Sequence, residues 1–387
     1  MGIYNPASPA VIAPGKFVTP ELYQQATGRL FPHRGETVFF ACRSGESLAK
    51  GILASYNALL EAEGSNARIS LDALTIKEYN GKEIIPRSGA HLEGKDVYVF
   101  QSCFDPLHNR SINDNLMELC NVADNARFHG ADKITAIVPY FPYLRQDKPS
   151  SYKREPITAK FAIQMLELAG VSEIFMYDPH FPQVIGYANK ARIHTMSSID
   201  LFKKAYATIL TKEKETHGLF WKDELLTLVS PDTGYAKNLE LFAKAVGSKF
   251  CMGYKTRNDE GVTKVDEITG KLKYVSHAII KDDIFATGGT IKEVVQKLQS
   301  YGVKKMTIFA THFVPEERTY AIMQELATSF PVEGFYFLNT IPFAPTMLPE
   351  PVASKVHVLS IYEELALALN AVMYNRSVSE RFTKVEK

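Results

Sequence analysis

The sequence predicts an α/β protein of two similar domains, each a mostly parallel sheet flanked by helices. Short β-branched, apolar runs bounded by turn residues alternate with longer segments whose apolar residues recur every three or four positions, as buried strands and amphipathic helices do. The order strand, loop, helix, glycine, strand occurs at 97–138 and again at 278–313, and Gly-Ala-Asp-Lys-Ile-Thr-Ala-Ile-Val in the first echoes Gly-Val-Lys-Lys-Met-Thr-Ile-Phe-Ala in the second. A chain of 387 residues, 45% hydrophobic and 22% charged, also has the length and composition for two cores.

In chain order, residues 1–36 carry Pro6, Pro9, Pro14, Pro20 and Pro32 and read as an extension packed on the surface or partly mobile, because proline resists long regular elements. A strand is expected at 37–42, then a helix to Glu61 that Ser44 could cap, with Leu48, Ile52, Leu53, Tyr56 and Leu59 on its apolar face. Strand 97–101 precedes a helix opened by Asn113-Asp114-Asn115, with Leu116, Leu119, Val122 and Ala126 on one side. Gly130 ends that helix before strand 134–138. Strand 174–177 ends in Asp178-Pro179-His180, and strand 225–229 ends in Ser230-Pro231-Asp232-Thr233-Gly234.

The most informative stretch is 278–290, Ala-Ile-Ile-Lys-Asp-Asp-Ile-Phe-Ala-Thr-Gly-Gly-Thr. A strand at 274–280 leads into it, and Ile291, Val294, Val295 and Leu298 then mark a helix. Ala286, Thr287, Gly288, Gly289 and Thr290 are small or hydroxylated, so backbone amides can close on a ligand and the helix's unpaired N–H groups favour a negative one. The adjacent Asp282 and Asp283 would repel a phosphate unless sugar hydroxyls or a divalent cation stood between. A sugar phosphate satisfies both demands, while an ordinary βα turn is the bland alternative.

Composition limits the rest. A net charge of +1 argues against nucleic acid as the main partner. Cys42, Cys103, Cys120 and Cys251 are dispersed, without metal-ligand or disulfide spacing. No apolar run approaches the roughly 20 residues that span a bilayer. The N-terminus shows no basic segment followed by an apolar one, so a cytoplasmic protein is expected, without a membrane partner.

Asp282-Asp283-Ile284-Phe285-Ala286-Thr287-Gly288-Gly289-Thr290 resembles the ribose-phosphate motif of type I phosphoribosyltransferases and of ribose-phosphate pyrophosphokinases. A second stretch, Tyr143-Leu144-Arg145-Gln146-Asp147-Lys148 followed by Arg154-Glu155-Pro156-Ile157-Thr158-Ala159-Lys160, is similar to the ATP-binding segment of the pyrophosphokinases, which the transferases lack. The similarity runs over roughly 37–382. It implies two type I phosphoribosyltransferase-like domains: 37–190, completed by 343–387, on the ATP side, and 191–342 on the ribose 5-phosphate side.

The implied reaction is transfer of the β,γ-diphosphoryl group of ATP to ribose 5-phosphate, giving 5-phosphoribosyl 1-pyrophosphate and AMP. The resemblance assigns ribose 5-phosphate to Asp282, Asp283 and 286–290, and ATP to Arg145, Gln146, Asp147 and His180. It assigns Mg²⁺ to His180 and Asp232, and the transition state to the Lys-x-Arg pair Lys255 and Arg257. The family's Leu between Asp and His is Pro179 here. Its adenine-binding block, supplied by a neighbouring subunit, falls on Tyr79-Asn80-Gly81-Lys82-Glu83, where Tyr79 and Glu83 remain but Asp-Gly has become Gly-Lys. A shared site implies a dimer-based homo-oligomer, extending to a hexamer in the family. Two other readings stay open at this level, a type I phosphoribosyltransferase and a non-catalytic regulatory homologue.

Overall fold

The computed structural model describes residues 12–108, 110–149, 153–257 and 263–378, without the side chains of 255–257, 263, 264 and 266. The chain forms two compact units, 1–196 with 361–387, and 197–360.

In the first unit, β1 (Thr37–Ala41), β4 (Asp96–Phe100), β5 (Lys133–Ile137), β6 (Glu173–Tyr177) and β7 (Arg192–Met196) form a parallel sheet in that order. Parallel strands are covered on both faces, which is why β4 and β6 are buried throughout. The covering helices are α2 (Glu46–Ala62), α3 (Ile112–Phe128), α4 (Thr158–Leu168) and α10 (Tyr362–Met373). In α3 the expected face Leu116, Leu119, Val122 and Ala126 is buried, and the start is set by a capping box in which Ser111 and Asp114 bond each other's backbone amides. A separate hairpin, β2 (Leu74–Glu78) with β3 (Ile84–Ser88), lies along α3.

Ser44 does not cap α2. A 3₁₀ turn, Arg43–Gly45, runs straight into the helix, leaving no extended residue for a side-chain cap, and the Ser44 hydroxyl donates instead to Asn115 Oδ1 at 3.0 Å. The buried stripe of α2 ends on Leu60 rather than the expected Leu59.

The described part of the N-terminal extension is built into this unit. Helix α1 (Pro20–Thr27) is capped by the Thr19 hydroxyl, carries proline in its first turn and ends at Gly28 with φ +74°. Val18 N–H donates to Asn370 Oδ1 at 2.8 Å, and Asn370 Nδ2 donates to both Val18 O and the Tyr56 hydroxyl. Arg34 is buried, reaching Asp96 at 2.7 Å, Glu173 at 2.5 Å and Thr135 at 3.4 Å. A domain boundary at 36/37 would cut these bonds. Residues 1–11 lie outside the described residues.

In the second unit the sheet order is β10 (Thr263–Thr269), β9 (Phe250–Arg257), β8 (Leu226–Ser230), β11 (His277–Phe285), β12 (Lys305–Phe313), β13 (Val332–Leu338), β14 (Val356–Leu359). All neighbours are parallel except β10 and β9, which form an antiparallel hairpin. Helices α5 (Ile199–His217) and α6 (Ala236–Val246) pack together, as do α7 (Gly289–Ser300) and α8 (Glu317–Ser329), with the short α9 (Val352–Lys355) against α8.

Two expectations need correction here. The segment 343–387 does not complete the first domain as a whole: β14 pairs with β13 through Phe335↔Val356 to Leu338↔Leu359, so 343–360 stays with the second unit and only the chain from Ile361 joins the first. The central strand also runs further than 274–280. β11 keeps pairing with β12 as far as Phe285↔Phe313, so Asp282 and Asp283 lie inside a strand rather than in a loop.

The repeated motif is visible in both units. Strand β4, α3, Gly130 and β5 in the first match β11, α7, Gly302 and β12 in the second, and both glycines end their helices at positive φ, +83° and +86°.

Candidate functional site

In the second unit the chain order reverses at β8: β9 lies on one side of it and β11 on the other. Open α/β sheets bind ligands outside the carboxyl ends of the strands at such a switch point. Val229 of β8 is in register with Ile280 of β11, so Asp232, just past β8, and Asp282 and Asp283, near the end of β11, come to the mouth of that crevice.

Their electrostatics fit this proximity. Asp283 is buried and Asp282 half-buried, and the Asp282 carboxyl is pushed well above its ordinary pKa by burial, then by the charges of Asp283 and Asp232. An Asp282 carboxyl whose charged form is disfavoured beside two other acids is a place where hydroxyl donors or a cation lower the energy. Asp283 N–H donates to Asp282 Oδ1 at 2.9 Å, and Asp232 Oδ1 accepts from Tyr235 N–H at 3.1 Å, which fixes both acids to the backbone.

The loop after β11 is held from below. Thr319, at the start of α8, donates to Ala286 O at 2.7 Å, and Thr287 Oγ1 accepts from Gly289 N–H at 3.4 Å. Gly288 has φ +79° and precedes the first turn of α7, whose N–H groups remain unpaired within the helix. A Cβ there would stand 3.0 Å from Ile322 Cγ2 and 3.1 Å from Phe285 Cζ. Gly288→Ala is therefore expected to cost about 1–2 kcal/mol of stability, and to raise the KM for the phosphorylated ligand. Thermal melting and saturation kinetics check both, and an unchanged KM would detach this turn from ligand binding. The structure thus places Asp232, Asp282, Asp283 and 286–290 at the carboxyl ends of the neighbouring strands β8 and β11.

In the first unit, Arg145, Gln146 and Asp147 follow β5, and His180 follows β6, at the carboxyl ends of neighbouring strands. The two segments are tied. The Tyr187 hydroxyl donates to Asp147 O, Gln146 N–H donates to Tyr143 O at 2.8 Å, and Gln146 O accepts from Ala159 of α4 at 3.5 Å. Arg145, Gln146 and His180 are exposed, and Asp178 holds φ +29°, a strained value for a non-glycine residue just ahead of His180.

Tyr79 and Glu83 stand elsewhere, at the exposed tip of the β2–β3 hairpin, where Tyr79 N–H donates to Glu83 O at 2.8 Å and Lys77 Nζ lies 4.5 Å from the Tyr79 ring centre. Among the described residues no hydrogen bond, ion pair or ring contact joins this tip to Arg145–Asp147 or His180. The side chains of Lys255 and Arg257 lie outside the described residues, although the backbone of both belongs to β9. The two residues expected to hold metal, His180 and Asp232, fall in different units. Among the described residues no group of three or more His, Cys, Asp or Glu side chains could hold a metal ion alone.

Sequence reasoning missed Thr319 and Tyr235, which fasten the loop and Asp232. Neither carries a local signal, since each acts on a residue distant in the chain or through its backbone. No helix among the described residues is long and apolar enough to cross a membrane, and the four cysteines are buried free thiols.

Comparison with known proteins identifies the family. The family described as the N-terminal domain of ribose phosphate pyrophosphokinase matches residues 37–170. A ribose-phosphate pyrophosphokinase of Campylobacter jejuni is 30% identical over 309 residues, covering 79% of this chain and 90% of the relative. Ribose-phosphate pyrophosphokinase 2 of Schizosaccharomyces pombe is 28% identical over 333 residues, 85% of this chain and 95% of its own. The crystal structure of phosphoribosylpyrophosphate synthetase from Mycobacterium smegmatis superposes with a TM-score of 0.71 at 28% identity, covering 88% of this chain and 99% of that one. With similarity extending over nearly the full length of these relatives, and an acid-and-glycine crevice at the switch point of its second sheet, this chain belongs to the ribose-phosphate pyrophosphokinase family.

Proposed function

We propose that the protein is a ribose-phosphate diphosphokinase that makes 5-phosphoribosyl 1-pyrophosphate and AMP from ribose 5-phosphate and ATP. The observation that carries this reading is the crevice of Asp232, Asp282 and Asp283 beside the 286–290 turn, in a chain similar to these enzymes along most of its length.

The sugar's 5-phosphate sits on the N–H groups of 286–290, where the start of α7 favours negative charge. Asp282 and Asp283 accept from ribose hydroxyls. ATP lies along Arg145, Gln146, Asp147 and His180, and Tyr79 and Glu83 of a second copy's hairpin reach its adenine in a dimer-based homo-oligomer. The anomeric hydroxyl oxygen bonds to the β-phosphorus as the bond from that phosphorus to the α,β-bridging oxygen breaks. AMP leaves with the bridging oxygen and its electron pair, and the hydroxyl proton passes to solvent. Lys255 and Arg257 neutralise the charge spread over the transferring group, the main protein contribution in such a reaction.

Mg²⁺ suits this donor set. It is usually held by one or two carboxylates plus substrate phosphates rather than by an all-protein cage, and the mutual repulsion of Asp232, Asp282 and Asp283 favours a cation beside them. When bound it would neutralise phosphate charge, and Asp232 and His180 are the residues the family resemblance assigns to it.

The test is AMP release from ATP, measured with and without ribose 5-phosphate and with no nucleobase present. AMP formation strictly dependent on the sugar phosphate is expected. A protein that makes no AMP but consumes 5-phosphoribosyl 1-pyrophosphate when a base is added would be a phosphoribosyltransferase instead.

A further inference from the structure

Lys281 sits in the middle of β11, immediately before Asp282, and only 2% of it is exposed. A lysine almost never occupies a core unless its charge is compensated. Its ammonium group donates to the Tyr235 hydroxyl and lies 4.7 Å from the ring centre of Phe202 on α5, 5.0 Å from Tyr235 and 5.7 Å from Phe242 on α6. Phe202 and Phe242 are fully buried, so these cation–π contacts act in a desolvated setting.

The partner matters more than the cage. Tyr235 ends the turn that follows β8, and its own N–H donates to Asp232 Oδ1 at 3.1 Å, while Ser230 Oγ donates to Asp232 O at 2.6 Å. A hydrogen-bonded path thus runs from the Lys281 ammonium through the Tyr235 side chain and backbone to the Asp232 carboxylate. It joins the strand that carries Asp282 and Asp283 to the turn that carries Asp232. A methionine of similar volume could fill the same space without a charge, but it could not grip the phenol.

We infer that Lys281 and Tyr235 are positioning residues: their bond sets the Asp232 carboxylate relative to Asp282 and Asp283, and so tunes how tightly the crevice takes a divalent cation with its sugar phosphate. This rests on the placement of ribose and metal beside Asp232 proposed above. Partners that orient a metal's protein ligands typically change metal affinity by about 10–100-fold when removed, whereas a lysine that only fills the core changes stability alone.

Tyr235→Phe tests this with the loss of one oxygen and no change in ring packing. The Mg²⁺ concentration for half-maximal AMP release should rise about tenfold, with kcat at saturating Mg²⁺ within about threefold of the native value. Mn²⁺ binding in the presence of ribose 5-phosphate, read by electron paramagnetic resonance without ATP, should weaken by a similar factor. Lys281→Met should show the same shift, and the double variant no more than either single, because both cut one path. If Lys281→Met does not fold, Tyr235→Phe alone decides.

A folded Tyr235→Phe with native Mg²⁺ and Mn²⁺ dependence overturns the inference, even if its melting temperature falls. So does a fall in kcat with unchanged metal dependence. Native protein that releases no AMP would defeat the proposed function, and the Mn²⁺ measurement would still test the tie. Native protein that binds no Mn²⁺ defeats the tie.

Discussion

Replacing Lys255 by alanine is expected to lower kcat for AMP release by about two to three decades, with a much smaller change in KM. An interaction made only as the phosphoryl group moves is lost from kcat and from kcat/KM alike, while one made equally to bound ATP appears in KM. Lys255 and Arg257 lie two positions apart in β9, a spacing that puts both positions on one face of an extended strand. β9 and β10 pair from Thr263↔Arg257 to Thr269↔Met252, with a shift of register between Val265 and Glu267. The arm that carries the cations is thus a hairpin at the edge of the sheet, anchored beside β8. Single-turnover measurement separates chemistry from product release, and a variant with native kcat would strip Lys255 of its assigned role.

The largest effect on stability is expected from Arg34→Met. Arg34 is buried among Asp96, Glu173 and Thr135, and Asp96 also accepts from the Tyr98 hydroxyl at 2.8 Å. Taking away the cation leaves two buried carboxylates without it, a change that costs about 3–5 kcal/mol. Set against a total stability of roughly 5–15 kcal/mol, that is enough to unfold the first unit well below the native melting temperature. Calorimetry should show its transition move down by many degrees, and a melt within 2–3 °C or so of native would mean that the pair contributes little.

The same cluster gives a pH dependence. Burial pushes the Glu173 carboxyl up, but hydrogen bonds from His194 and Arg34, then the Arg34 charge, outweigh it and hold its pKa down at about 2, from an ordinary 4.5. A carboxylate with a depressed folded pKa contributes stability that is complete above its unfolded pKa and is lost as pH falls through the folded one. Native protein should therefore lose this contribution progressively between pH 4.5 and about 2. In Glu173→Gln the loss over that window should be smaller, as acid titrations followed by circular dichroism would show.

The sequence by itself determined the alternation of elements, the internal repeat and the acid-and-glycine run of the candidate crevice. Those signals are local: apolar period, glycine at helix ends, and small hydroxylated residues next to acids at a strand end. The faces of α3 and α7 could be read in advance, because Leu116, Leu119, Val122 and Ala126, and Ile291, Val294, Val295 and Leu298, repeat at helical spacing. So could the grouping of Asp282 and Asp283 with 286–290, since these residues are contiguous.

Only the tertiary structure decided what depends on partners far apart in the chain. Strand β11 continues through Lys-Asp-Asp because β12 pairs with it to Phe285, which propensity alone argues against. The C-terminal segment divides at Ser360/Ile361 because β14 finds β13, while Asn370 of α10 finds Val18 across 352 residues. Arg34 carries no local signal within the proline-rich extension, yet it pairs with two acids at the starts of β4 and β6. Lys281 likewise reads as an interruption in an apolar strand until Tyr235, 46 residues earlier, supplies the acceptor for its buried charge. Burial of a charged group is allowed only where a distant partner meets it, and no local pattern reveals such a partner.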